Sequence, residues 1–287
     1  MAGENERKER PRPARPLLPT SRRRYPINTI DATDDVFLDN KAPRRIRAVT
    51  VNSASPLLVS LAAEVGFEAV WIESEHGPIG FERAETLCLA AEAGGIFPLI
   101  RLPDGERHHI LRSLEIGARI ILVPMVDDAN HARRIVDAGK YPPIGHRGFN
   151  TRTRGMGFGM YDLTEILARA NARTHLFAQI ETTEAVAHID EILAVDGLSG
   201  IFMGPGDLAV SMGRAGQMAD PELRETVLTC MAKAKAAGKL TGIFTLPGPL
   251  LSAAMQAGCD LVVCGGDVMD LGTAWSKLLG QIPTEGG

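Results

Sequence analysis

The sequence predicts a single (β/α)8 barrel preceded by a disordered basic tail, and three observations carry that prediction. From residue 45 onward, short apolar runs alternate with amphipathic stretches; eight such runs can be counted; and ionisable residues recur where the runs end. A chain of 287 residues with 45% hydrophobic content has room for one barrel of about 250 residues and little else.

The expected strands are Ile46–Val51, Ala69–Glu73, Phe97–Arg101, Ile120–Pro124, Leu176–Ile180, Gly200–Met203, Leu240–Phe244 and Leu261–Cys264. Each is nearly continuous in apolar residues, as parallel strands covered on both faces should be. Helical periodicity lies between them. After the second strand, Phe81, Ala84, Leu87 and Ala91 share one face while Glu82, Glu85 and Glu92 point away. The clearest helix start is Asp220-Pro221, a capping side chain with Pro at the first helical position; its stripe is Leu223, Val227 and Met231, and Gly238 closes it. One connection is abnormally long. Tyr141–Gly159, between the fourth and fifth strands, is rich in Gly, Pro and Arg without being repetitive, which suggests a functional loop.

Charge divides the chain unevenly. Residues 1–25 carry eight Lys/Arg against three Glu, a net of +5, whereas the total is −4, so the remainder sits near −9. Residues 1–26 are also rich in Pro and poor in apolar side chains, so they are expected to be disordered, and residues 27–287 to form the barrel. The near-absence of aromatics in the tail and the acidic remainder argue against a nucleic-acid partner. No apolar run approaches the ~20 residues of a membrane span. The four cysteines show no CxxC spacing, which points to a cytoplasmic protein with reduced thiols.

Chemistry in such a barrel gathers at the carboxyl ends of the strands. Strand two finishes with Glu73-Ser74-Glu75-His76, strand three with Arg101, strand five with Gln179-Ile180-Glu181, and strand six with Gly204-Pro205-Gly206-Asp207. Any one of these alone would be an ordinary solvated rim residue; their convergence on one mouth is the signal. Glu181 and Asp207 supply carboxylates suited to a hard divalent ion, Mg2+ first, with Mn2+ or Co2+ as alternatives. Gln179 is placed to donate an amide hydrogen bond to a substrate oxygen, Arg101 to neutralise a carboxylate or enolate oxygen, and His76 to act as base. Helical N–H groups near Leu208 would hold a carboxylate. No GxSxG is present and no candidate strand carries a Lys, so neither a serine nucleophile nor an imine mechanism is expected. Arg147, Arg152 and Arg154 of the long loop either meet an acidic substrate tail or tether the loop.

These stretches resemble the HpcH/HpaI family of class II, pyruvate-dependent aldolases, which includes sugar-acid aldolases. The similarity spans roughly Ser53 to Leu279 and rests on Ile72–His76, Leu99–Arg101, Leu122–Val126, Gln179–Glu181, Gly204–Leu208, and Tyr141-Pro142-Pro143 followed by Gly145–Gly148. The resemblance implies a (β/α)8 barrel, a homo-oligomer built as a trimer of dimers that exchange their last helix, and a divalent metal held by Glu181 and Asp207. It also implies substrate held by Gln179, Gly206 and Asp207, with His76 and Arg101 as catalytic residues. An acidic residue that raises the basicity of the histidine falls at Glu115. The family usually shows Asp where Glu73 and Glu115 stand, so one added methylene at each would shift the hydrogen bond that orients His76. The implied reaction is reversible addition of a pyruvate-type enolate to an aldehyde, that is, cleavage of a 4-hydroxy-2-oxo acid. The alternatives are a metal-independent, citrate-forming relative, a decarboxylating relative, or a non-catalytic oxo-acid-binding barrel.

Overall fold

The computed structural model describes residues 35–39 and 42–283; the expected disordered tail, residues 1–26, lies outside them. Eight strands form the barrel: β1 Ile46–Val51, β2 Ala69–Glu73, β3 Phe97–Arg101, β4 Ile120–Val123, β5 His175–Ile180, β6 Gly200–Met203, β7 Leu240–Phe244 and β8 Leu261–Gly266. Each pairs in parallel with the next, and β8 pairs with β1 to close the barrel. The expected class is observed. Closure leaves the barrel itself without an open edge.

Two apolar clusters follow from strand alternation. Outward residues such as Val70, Ile72, Ile121 and Ile201 pack beneath the helices. Inward residues such as Ile46, Ala48, Trp71, Leu99, Phe177 and Phe202 fill the barrel itself. The lower end carries a plug that sequence patterning did not reveal: Val36 and Phe37 are buried, with the Phe37 ring 4.9 Å from His175 and 5.8 Å from Phe177. A short antiparallel ladder, Leu38–Asp39 with Ala42–Pro43, follows the plug and leads into β1.

The helices are α1 Pro56–Val65, α2 Phe81–Gly94, α3 Arg107–Glu115, α4 Ala129–Gly139, α5 Leu163–Arg173, α6 Thr183–Ala187, α7 Ile189–Leu193, α8 Pro205–Ser211, α9 Pro221–Ala236, α10 Pro249–Gln256 and α11 Asp267–Leu279. On α9, Asp220 caps the N–H groups of Glu222 and Leu223, and Leu223, Val227 and Met231 are buried as the stripe required. The long connection holds a short 3-10 segment, Arg154–Gly159, and then α5, which the sequence reading did not mark. Its signal was present: Asp162 caps the helix, and Ile166 and Ala170 face Tyr141 and Met156.

Candidate active site

The upper end of β2 is organised by one buried carboxylate. Glu73 ends the strand and is 1% exposed. Its Oε1 accepts from the backbone N–H groups of Glu75 (2.8 Å) and His76 (2.9 Å), and its Oε2 accepts from Trp71 Nε1 (2.9 Å) and Arg101 Nε (2.7 Å). Both oxygens are therefore occupied, so Glu73 is a holding group and not a base. It meets the backbone of His76, not the ring. The turn it holds is tight: a Cβ on Gly77 would lie 2.8 Å from the Glu73 carbonyl oxygen.

Arg101 follows from the same register. Glu73 and Arg101 are paired across β2 and β3, so their inward side chains meet. Arg101 Nη2 lies 2.7 Å from Glu73 Oε2, Nη1 lies 3.0 Å from Glu75 Oε2, and the guanidinium sits 4.9 Å above the Trp71 ring. Two carboxylates and an indole face thus hold the fork in one orientation. Glu75 is a site residue to which the sequence reading assigned no role, because strand parity stops at Glu73. Burial pushes its carboxyl above the usual range, Arg101 and His76 oppose that, and Glu73 and Asp207 add to it. Its Oε2 is 3.7 Å from His76 Nε2, and the His76 side chain is 65% exposed, directed into open solvent at the mouth.

Across the barrel, β5 supplies Gln179 and the following residue Glu181, both 2% exposed. Glu181 Oε1 accepts from the Met125 N–H at 2.7 Å, and Gln179 Nε2 donates to Glu181 Oε2. Met125 reaches this geometry with φ +52°, a left-handed conformation that is costly for a side-chain-bearing residue. Gln179 uses one amide N–H on Glu181, and its Oε1 is buried with no hydrogen-bond partner. Gly204 is required here, since a Cβ would fall 2.9 Å from Glu181 Oε2 and 3.1 Å from Gln179 Nε2. The helical turn starts at Pro205 rather than Leu208, whose N–H bonds Gly204 O. Pro205 has no N–H, so the donors of the first turn belong to Gly206 and Asp207, both exposed.

Burial above all, with the nearby charges of Asp207 and Glu75, raises the Glu181 carboxyl to about 7 against the opposing Met125 N–H and Arg101. The charges of Asp207 and Glu75 thus reach the buried Glu181, a repulsion that a divalent ion would relieve, and all these donors are oxygen, as a hard cation prefers. Among the described residues no cluster of three or more His, Cys, Asp or Glu has metal-binding geometry, so an ion held by Glu181 and Asp207 would take its other ligands from water or substrate.

Glu115 is the last residue of α3, and its charge reaches Tyr141 and Arg147, while among the described residues Glu75 is the carboxylate paired with His76. Two of the loop arginines, Arg147 and Arg154, are held by the protein itself. Arg154 pairs with Glu92, and Arg147 is 5% exposed with its guanidinium 4.8 Å above the Tyr141 ring.

A family model described as HpcH/HpaI aldolase/citrate lyase matches residues 48–272. The chain is 35% identical over 216 residues to a hydroxypyruvate/pyruvate aldolase of Roseobacter denitrificans, covering 75% of this chain and 84% of the relative. It is 32% identical over 220 residues to a 2-keto-3-deoxy-L-rhamnonate aldolase of Salmonella gallinarum, covering 76% and 82%. An HpcH/HpaI aldolase structure from Desulfitobacterium hafniense superposes with a TM-score of 0.80 at 29% identity, covering 85% of this chain and 96% of that one. The citrate synthase SbnG superposes with a TM-score of 0.75, also at 29% identity, covering 83% and 93%.

Proposed function

Because this chain belongs to the HpcH/HpaI aldolase/citrate lyase family, we propose that it is a class II aldolase that forms the enolate of pyruvate or a similar 2-oxo acid and adds it reversibly to an aldehyde. What supports this reading is that Arg101 is clamped by Glu73 and Glu75 and that its charge and that of Asp207 both reach the buried carboxyl of Glu181. Glu181 and Asp207 would hold a divalent ion, Mg2+ or else Mn2+ or Co2+, which when bound supplies Lewis acidity toward the 2-oxo acid.

The remaining chemistry belongs to the chain. The backbone at Gly206 and Asp207 receives the substrate carboxylate at the first turn of α8. Arg101, fixed by Glu73 and Glu75, sets positive potential where negative charge grows on the 2-oxo oxygen. In the cleavage direction, His76 accepts the proton of the C4 hydroxyl. The C3–C4 bond then breaks, the aldehyde leaves, and the electron pair remains on the three-carbon fragment as enolate. Reprotonation at C3 gives pyruvate. Glu75, 3.7 Å from His76 Nε2, supports the imidazolium that forms.

The likeness to SbnG favours one second reading, a metal-independent Claisen reaction at the same site. Incubating the protein with pyruvate, a panel of aldehydes and each metal, with or without chelator, separates the two by product mass. Aldol products that vanish on chelation support the aldolase; citrate-type products that survive it support the alternative.

A homo-oligomer, a hexamer built as a trimer of dimers, fits the surface. Helix α11 buries none of its residues and exposes Val268, Trp275, Leu278 and Leu279, while α1 exposes Leu57, Leu61 and Val65 at helical spacing. A cytoplasmic location fits four cysteines that are all free. Among the described residues no helix is long and apolar enough to cross a membrane.

A further inference from the structure

The orientation of Glu181 depends on a turn that belongs to the neighbouring strand. The Met125 N–H reaches Glu181 Oε1 at 2.7 Å with Met125 at φ +52°, the left-handed region that a side-chain-bearing residue avoids. Such a conformation persists where its surroundings over-determine it. The Met125 side chain is half-exposed, so the constraint comes from the residues that follow. Val126 is buried, and its N–H donates to Gln179 O at 3.4 Å. Asp128 caps α4 by accepting from the His131 N–H at 2.7 Å. Asp127, between them, is held by both its carboxylate and its carbonyl.

The Asp127 carboxylate accepts from the hydroxyl of Thr182, the residue after Glu181. Its carbonyl oxygen lies 3.0 Å from His188 Nδ1, so that ring nitrogen carries the proton and donates. Two rungs therefore join the turn after β4 to the turn after β5: Met125 N–H to Glu181, and Asp127 to Thr182. With the first rung alone, Met125 is free to relax out of the left-handed region and take its N–H away from the carboxylate; the second rung prevents that. Thr182 Oγ1 also accepts from the Ala185 N–H at 3.0 Å and so caps α6, a bond that does not involve Asp127.

We propose that Asp127 is a positioning residue for metal binding: it clasps Thr182, keeps Met125 in its left-handed conformation, and so holds Glu181 in the orientation that grips the ion, with His188 bracing the Asp127 carbonyl. The inference rests on the reading of Glu181 as a metal ligand. Groups that orient a ligating carboxylate tune metal affinity by about 10–100-fold although they never touch the ion. Asp127 acts here as a hydrogen-bond acceptor and not as a charge, which separates the clasp from a general electrostatic attraction of cations.

The test titrates Mn2+ into metal-free wild type, Asp127→Ala, Asp127→Asn and His188→Leu, reading free Mn2+ by electron paramagnetic resonance, and melts each metal-free protein. Asp127→Ala removes the acceptor and leaves the Thr182 cap on α6 in place; Asp127→Asn removes the charge but keeps an oxygen for Thr182. D127A should weaken Mn2+ binding about tenfold, D127N should stay within about twofold of wild type, and H188L should lose about three- to tenfold. The metal-free D127A protein should melt only about 2–4 °C lower, as expected for one lost hydrogen bond. Wild-type affinity in D127A, or equal losses in D127A and D127N, would overturn the clasp while leaving Glu181 as a ligand. Should D127A not fold, H188L decides alone: the expected loss supports the clasp, and wild-type affinity overturns it. Failure of wild type to bind Mn2+ would overturn both the clasp and the metal reading.

Discussion

Replacing Glu73 by Gln tests how much of the site depends on a residue that touches no substrate. The carboxylate accepts from Trp71 Nε1, from two backbone N–H groups and from the guanidinium of Arg101, all between 2.7 and 2.9 Å. A Gln side chain of the same length keeps one acceptor oxygen and turns an NH2 toward the other set of donors. Whichever way the amide faces, either Arg101 and Trp71 or the Glu75 and His76 N–H groups meet a donor. Breaking a buried ion pair from one side costs about 3–5 kcal/mol. At about 2–4 °C per kcal/mol for a barrel of this size, the melting temperature should fall by roughly 10 °C. Loosening Arg101 by about 1 Å should lower kcat/KM for aldol cleavage about a hundredfold. Glu73→Asp keeps the charge and withdraws the carboxylate by one methylene, so it should lose less than half as much in melting temperature. Thermal unfolding followed by circular dichroism, together with steady-state cleavage kinetics, measures both effects. An E73Q protein that melts within 2 °C of wild type and turns over normally would refute the assignment of Glu73 as the organising group.

Further outcomes follow from other positions. Arg101→Lys cannot span Glu73 and Glu75 while stacking on Trp71, and should reduce kcat/KM by about 10²–10³-fold with little change in folding; activity within threefold of wild type would show that fork geometry is irrelevant. Gly204→Ala places a methyl 2.9 Å from Glu181 Oε2, so it should weaken divalent-metal binding, read by calorimetry, more than tenfold. Lys140 is buried, and burial lowers its pKa from 10.5 to about 8, with Arg147 adding to the effect. Between pH 8 and 10.5 the unfolded chain binds more protons at this residue than the folded one, so its contribution to stability rises with pH across that window, by roughly 3 kcal/mol. Chemical denaturation of wild type and Lys140→Met over that range should diverge accordingly, and parallel curves would contradict it.

The barrel was legible because each strand is buried on both faces and therefore reads as an apolar run; β1, β2, β3, β6 and β7 carry the boundaries that their sequences imply. The rim carboxylates and Arg101 were legible because strand ends locate them. Past a strand end the two-residue alternation no longer applies, so Glu75 carried no directional signal although it grips Arg101. Gln179 was found, but the direction of its amide depends on Glu181, two residues away, and on Gly204 from another strand. Glu115 was located by motif similarity alone, and its place at the end of α3, near Tyr141 and Arg147, could not be read from a strand end. The plug at Val36 and Phe37 has no periodicity to announce it, because two residues are too few to show one.

The most direct measurement is deuterium exchange at the methyl group of pyruvate, followed by proton NMR, with Mg2+, with chelator, and in Glu181→Gln and Asp207→Asn variants. Enolate formation at a cation gripped by these two carboxylates predicts exchange by wild type with metal and none after chelation or in either variant. Undiminished exchange with chelator present, or by the variants, would contradict it.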